Sequence, residues 1–503
     1  MSFLTTRGSI RDVIRSGLFL LPMLLALSTS PVFADYHVST TGSDKQGDGS
    51  AANPWATIAY ALKSVHRAGG VDIFVEEGTY DGLIRIESDI DFERKVRVRA
   101  VQPYRARLTF SKTNTVMYLK GGNYTFEGFE ILGSPVGHTG AHTPDYVFHV
   151  VFIESAHHIT FKDNVIHDSY AKDLMTMIKS NDIIIEGNVF YNQSGWDEHI
   201  DVNIGSHDIE IRENIFFNDF EGSGRANRKD TAAFIVIKTS TEPEPLTNTV
   251  NVRRNVFMNY QGAEYHMVRL GEDDRYPNVF EAEKLLFENN LFLLNGSDPI
   301  KSVFGTWGVR DVTIRANTIV ATTPLRDFLA NLGKGPKNNP STRNMSFFNN
   351  ILADMTGTMD RLVVSPSNKF VSGTGTLRNN LYWNNGKSLP NTSEDDINYT
   401  DDPSGIIGDP RLPNSAQAVV PRLTTKGFQG GYNSIRKAFL GIVNRYGKPN
   451  GASAVVDAAD KSQAPANDIR GKNRDESPDV GAFEIGTSVV PSRPSPPTLA
   501  PIK

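Results

Sequence analysis

The segment Asp163-Asn164-Val165-Ile166-His167-Asp168-Ser169 returns in altered wording seven more times along the chain. The copies read GNVFYNQ from Gly187, ENIFFND from Glu213, RNVFMNY from Arg254 and NNLFLLN from Asn289, then ANTIVAT from Ala316, NNILADM from Asn349 and NNLYWNN from Asn379. They align on Asn164, Asn188, Asn214, Asn255, Asn290, Asn317, Asn350 and Asn380, at intervals of 24, 26, 41, 35, 27, 33 and 30 residues. Short alternating stretches such as NDIIIEG and HDIEIRE precede the copies. A floor near two dozen with a variable excess describes a coil of fixed length that carries loops of different size.

Strands of four to six residues with period-2 alternation, repeated at that interval, fit a parallel β-helix better than a sandwich. Helical repeats would need 3.6-residue periodicity, and leucine-rich repeats their consensus leucines. The recurrent asparagine is read as a stacked turn ladder, each amide bonding the next coil, and not as a site. Asn53-Pro54-Trp55-Ala56-Thr57-Ile58 opens an amphipathic helix to about Arg67 that could cap the first coil.

Outward from the repeat, residues 1–34 read as a signal peptide: Arg7, Arg11 and Arg15 precede the apolar run Leu18–Leu27, and Val32-Phe33-Ala34 offers a cleavage site before Asp35. The expected divisions are a cap with the first coils over 35–110, the repeats over 111–408, an irregular capping segment over 409–486 and a proline-rich flexible tail over 487–503. Export to the periplasm or beyond follows, with no membrane insertion after cleavage. The 503 residues contain 42 Gly and no Cys. That excludes disulfides, thiolate metal sites and a cysteine nucleophile. The formal charge is −5, so no nucleic-acid partner is expected; a monomer is expected.

Tyr36-His37-Val38-Ser39-Thr40-Thr41-Gly42-Ser43-Asp44, the Pro54–Ile58 helix start and Glu77-Gly78-Thr79-Tyr80 resemble the opening of secreted bacterial right-handed parallel β-helix proteins. Asp468-Ile-Arg-Gly471, Arg474 and Pro478-Asp479-Val-Gly481-Ala-Phe-Glu484 are similar to their C-terminal signature. The resemblance implies an all-β, right-handed single-stranded parallel β-helix (a pectin lyase-like solenoid) with an N-terminal helical cap. The group includes polysaccharide lyases and epimerases, so fold alone does not choose the activity.

Sites on such a solenoid would sit on the outer face of one sheet, where coils stack at about 4.8 Å. In His199–Ile204 the alternation puts Ile200, Val202 and Ile204 inward and His199, Asp201 and Asn203 outward. Lys238 and Arg269 point outward on the next two coils, so Asp201, Lys238 and Arg269 are expected in one column, which Lys301 could continue. A solvated ladder of opposite charges would produce the same pattern. Uronate β-elimination needs a group to neutralise the substrate carboxylate, a base for the C5 proton and an acid for the departing O4. Lys238 could be the base, and neutralisation could come from Arg225, Arg228 or Lys229, or from Ca²⁺ on Asp197, Glu198 or Asp201.

Ile237-Lys238-Thr239-Ser240, Asn255-Val-Phe257, Gln261-Gly262 and Val268-Arg269-Leu270-Gly271 are similar to the chondroitinase B and alginate lyase family. That resemblance implies Lys238 as base and Arg269 as acid, on an anionic polysaccharide. Two departures stand out: Thr231-Ala232-Ala233 replaces the acidic calcium ligands upstream of the lysine, and Glu242-Pro-Glu244-Pro245 stretches the Lys–Arg gap. A pectate lyase-like arginine would fall at Glu264. For hydrolysis, Asp197/Glu198 and Asp273/Asp274 are the acidic pairs considered near the column. His266 is a candidate catalytic helper, and Tyr265 and Lys301 candidate substrate contacts. Tyr260, Tyr276 and Trp307 could also stack on sugars or simply pack loops. Among themselves His142, His149, His157, His158, His167, His199, His207 and His266 show no HxH or HxxxH spacing for zinc or manganese. A C5 epimerase, which shares the proton abstraction, and a non-catalytic polysaccharide-binding protein are the alternatives.

Overall fold

The computed structural model describes residues 35–485, except 67–69, 89, 136–144, 241–244, 264, 272–278, 326, 333–339, 365–374, 391–395 and 398. The signal segment 1–34 and the tail 487–503 lie outside the described residues, as do Glu264, Asp273, Asp274 and Tyr276. No helix among the described residues is long and apolar enough to cross a membrane.

Each coil contributes three strands in succession, such as Met175–Ile178, Asn181–Glu186 and Val189–Tyr191, followed one coil later by Glu198–Asn203, His207–Arg212 and Ile215–Phe217. Each strand pairs in parallel with its equivalents one coil before and after, as in Ile200↔Ile235, Ile235↔Val268 and Val268↔Phe304. Stacked first strands form the first sheet, stacked second strands the second, and the third strands of the coils build a third sheet of twelve. The architecture is a right-handed parallel β-helix. Inside, Phe190, Phe216, Phe257 and Phe292 stack with centroids 5.1, 4.9 and 4.6 Å apart. Those separations follow the spacing of adjacent strands.

The asparagine ladder runs through the described coils. Asn188 Oδ1 accepts from both the backbone N–H and the Nδ2 of Asn164, and Asn214 Oδ1 does the same for Asn188. The pattern continues to Asn380, whose N–H and amide donate to Asp402. Each Nδ2 also donates to a carbonyl on the second strand of the preceding coil, Asn214 to Ile185 O for example. The residue before each ladder asparagine is left-handed, with φ from 51° at Ala316 to 68° at Gly187. That corner turns the chain from the second sheet to the third, a conformation that suits Gly187 and the asparagines Asn289, Asn349 and Asn379 at this place.

At the N-terminal end, Thr57 caps the helix Ile58–Val65 by accepting from Tyr60 N–H, and Ile58, Ala61, Leu62 and Val65 face the core. The C-terminal segment lies lengthwise on the outer face of the twelve-stranded sheet. Ile435, Ala438, Phe439, Ile442, Phe483 and their neighbours cover the outward Val189, Phe217, Leu291 and Ile351. Arg422–Asp219, Arg436–Glu213 and Arg378–Asp460 pairs tie it to coils far apart in the solenoid. The signature residues hold this strap: Arg474 Nη1 donates to Glu484 Oε2 at 2.9 Å, and Nη2 donates to Asn289 Oδ1 at 2.9 Å and to Gly481 O at 2.6 Å. Both partners of the ion pair are buried. Arg474→Met leaves a carboxylate buried without its cation, which costs about 3–5 kcal/mol. Thermal unfolding should show a large loss, and limited proteolysis should release the strap. Arg474→Leu/Glu484→Leu should lose less than the single variant; equal losses would argue against a buried ion pair.

Candidate functional site

The outer face of the first sheet carries the polar residues singled out in the sequence. Along one column run Phe152, Thr176, Asp201, Val236, Arg269, Gly305 and Asn331. Asp201 and Arg269 therefore share a column, but Val236 stands between them. Lys238 lies two residues further along, beside Asn203, which corrects the single column expected for Asp201, Lys238 and Arg269. The physical reason is that loop lengths between coils are free, so counting from the ladder asparagines does not fix the register. Lys301 does not continue the column either: Gly305 pairs with Arg269, while Lys301 N–H donates to Tyr265 O.

Lys238 and Arg269 still project from adjacent coils on the same outer face, about 8 Å apart at Cα by strand geometry. Both are more than nine-tenths buried. Lys238 Nζ is 3.7 Å from Asp201 Oδ2, and Arg269 Nη1 donates to Glu198 Oε1 at 2.7 Å. The guanidinium also lies over the Tyr265 ring, 4.6 Å from its centroid, and Tyr265 stacks parallel to Trp307 at 6.0 Å. His266 is buried with Nδ1 2.6 Å from Ser302 Oγ. A side chain at Gly305 would meet its ring, so this glycine makes the space for it.

One expected orientation changes. Glu198 points outward to meet Arg269. His199, expected outward, is buried with its ring 4.7 Å from Phe234 and Nε2 3.0 Å from Asn218 Oδ1. Burial drives its pKa down to about 3, so it stays neutral. Arg225 does not join Lys238 and Arg269 on that face: Nη1 donates to Asp168 Oδ1 and Asn192 O, and Nη2 to Ser169 O, with Tyr170 beneath it. It clamps the loop that contains it to the two preceding coils. Arg228 lies exposed on that same loop.

A carboxylate cluster stands at the entrance to these strands. Asp173, Asp197 and Glu198 each offer an oxygen within 4.8 Å of the others. Asp201, expected among the metal ligands, faces Lys238 instead, and Asp173 takes its place in the set. Asp173 was legible in principle: it and Asp197 each follow a ladder asparagine by nine residues. Asp173 Oδ1 accepts from Glu198 N–H, and Oδ2 from Thr176 Oγ1, with His149 Nδ1 at 3.0 Å. Burial raises its pKa, but His149 and these hydrogen bonds outweigh it and hold the group low. Asp197 goes the other way, to about 8, through burial and then the charge of Asp173. An all-oxygen set of three carboxylates, one of which takes up a proton in the absence of another cation, fits a hard divalent ion.

The sign of the Asp197 shift fixes a pH dependence. The folded chain keeps a proton there that the unfolded chain loses near pH 4, so stability falls as pH rises from about 4 to about 8. In the presence of a chelator, the drop in melting temperature across this range should be smaller for Asp197→Asn than for the parent. Equal drops would mean that Asp197 titrates normally.

No protein-family model matches the sequence, and none of the curated proteins does. Solved structures match in shape. One described as a glycoside hydrolase has a TM-score of 0.47 at 10% identity, covering 74% of this chain and 96% of its own. The pectate lyase Pel9A has a TM-score of 0.45 at 12% identity, covering 90% and 96%. The PL6 family alginate lyase AlyGC has a TM-score of 0.47 at 14% identity, covering 86% and 58%. At such identities the likeness is one of fold.

Proposed function

We propose that this chain is an exported protein that binds an acidic, uronate-containing polysaccharide along the first sheet and cleaves it by β-elimination. The observation that carries the reading is the placing of Lys238 and Arg269 on adjacent coils of one face, beside three clustered carboxylates. Lys238 would take the C5 proton; the electron pair left behind forms the C4–C5 double bond as the C4–O4 bond breaks. Arg269 faces the departing O4 and, as the acid, meets the charge that develops there. Glu198 fixes the guanidinium, while His149 and Thr176 fix Asp173. Calcium held by Asp173, Asp197 and Glu198 would supply the positive charge that neutralises the uronate carboxylate. Tyr265 backs the Arg269 guanidinium, whereas His266, the candidate helper, is fully buried against Ser302 and offers the substrate no surface.

Purified protein incubated with alginate, polygalacturonate and dermatan sulfate should generate the absorbance of unsaturated chain ends on at least one polymer, and a chelator should abolish it. No such absorbance on any of them overturns the lyase reading. Inversion at C5 without chain cleavage would mark an epimerase. The ion pairs favour a second reading: Lys238 and Arg269 each already face a buried carboxylate, as a structural ladder in a non-catalytic polysaccharide-binding protein would have it. Binding without cleavage that survives both Lys238→Ala and Arg269→Ala would support that alternative.

A further inference from the structure

Among the described residues the most exposed large apolar side chain is Trp196, 67% accessible, next in sequence to Asp197 of the carboxylate cluster. Its backbone is left-handed, with φ 67°. That conformation is costly for a bulky residue, and Trp196 belongs to none of the repeating corners that explain it elsewhere in the coils. The loop is also wedged. Gly195 has φ 128°, and a Cβ there would come within 1.7 Å of Ala171 O on the preceding coil. On the other side Ala232 N–H donates to Asp197 O, and Glu198 N–H to Asp173 Oδ1. Trp196 is thus held between two pinned points, with its indole in water.

We infer that Trp196 is a stacking platform for one pyranose ring of the polysaccharide, at the edge of the groove where the carboxylate cluster begins. The inference deepens the proposed function and rests on its assignment of a polysaccharide to this groove. A sugar ring has a C–H-rich face and a polar rim, and an indole flanked by polar groups matches both. A protein partner would call for a contiguous apolar patch. The chain neighbours of Trp196 are Ser194, Gly195 and Asp197 instead. Trp196 is a positioning residue: it sets which ring of the chain sits where, not the chemistry.

The test is calorimetric titration with hexamers of mannuronate, guluronate and galacturonate and with neutral xylohexaose, on the parent, Trp196→Ala and Trp196→Phe. Trp196→Ala should weaken binding about tenfold with its melting temperature unchanged, and Trp196→Phe should recover most of the loss. Where turnover is measurable, KM should rise while kcat stays within about twofold. Affinity of Trp196→Ala within twofold of the parent overturns the platform. Trp196-dependent binding of xylohexaose alone would sustain the platform and remove the acidic substrate. A parent that binds none of the four probes removes both.

Discussion

Lys238→Ala is expected to lower kcat/KM on the uronate polymer by a factor of about 10²–10⁴, the usual contribution of a positioned acid or base. The more telling variant is Lys238→Arg. It keeps a cation opposite Asp201, now 3.7 Å from the ammonium, so the buried carboxylate is not stranded and the fold should hold. A guanidinium rests protonated at any pH the protein tolerates, so it cannot serve as the base. If Lys238 removes the C5 proton, the arginine variant should be as inactive as the alanine variant while retaining substrate binding. If the lysine only balances Asp201 or attracts the polymer, Lys238→Arg should keep most of the activity. Initial rates from unsaturated-end absorbance, with binding measured on the same preparations, separate these outcomes. A Lys238→Arg enzyme with near-parental rates would remove Lys238 from the chemistry.

The fold was legible because one residue type recurs in one structural role. Asn164 to Asn380 mark the same corner in eight coils, and each needs the next coil's oxygen, so the sequence repeats the physical requirement. The site was less legible, since it depends on register between coils joined by loops of unequal length. Alternation correctly put Asp201, Lys238 and Arg269 on one face, but the loop between Asn214 and Lys238 hid a two-residue offset that only the pairing Val202↔Ile237 reveals. Alternation also failed at the start of the strand Glu198–Asn203, where His199 finds Phe234 and Asn218 inside and Glu198 finds Arg269 outside. Local pattern cannot foresee such tertiary partners. The C-terminal strap shows the same limit: its signature residues were recognisable, but their grip on Asn289 joins positions 185 residues apart.

Asn255→Ala should cost the solenoid about 3–5 kcal/mol. Asn255 is fully buried in mid-stack. Its Oδ1 accepts from Asn214 N–H and Nδ2, and its Nδ2 donates to Ile211 O and Asn290 Oδ1. Alanine would strand polar groups on both neighbouring coils, each costing about 1–3 kcal/mol. Because stability in a solenoid is passed between neighbours, the loss should appear as lowered hydrogen-exchange protection around residues 211–214 and 290–291 as well as a lower melting temperature. Asn255→Asp discriminates further. A carboxylate can still accept from Asn214 but has nothing to donate to Ile211 O or Asn290 Oδ1, and burial without a cation pushes it toward the neutral form. This variant should regain stability as pH falls, where a protonated oxygen can donate. Asp402 already shows why an acid suits only the final rung: it accepts from Asn380 N–H, Asn380 Nδ2 and Tyr382 Oη, and no later coil asks it to donate. An Asn255→Asp protein as stable as the parent at neutral pH would mean that the ladder bonds are replaceable by water, and that the hydrophobic stack alone fixes the coils.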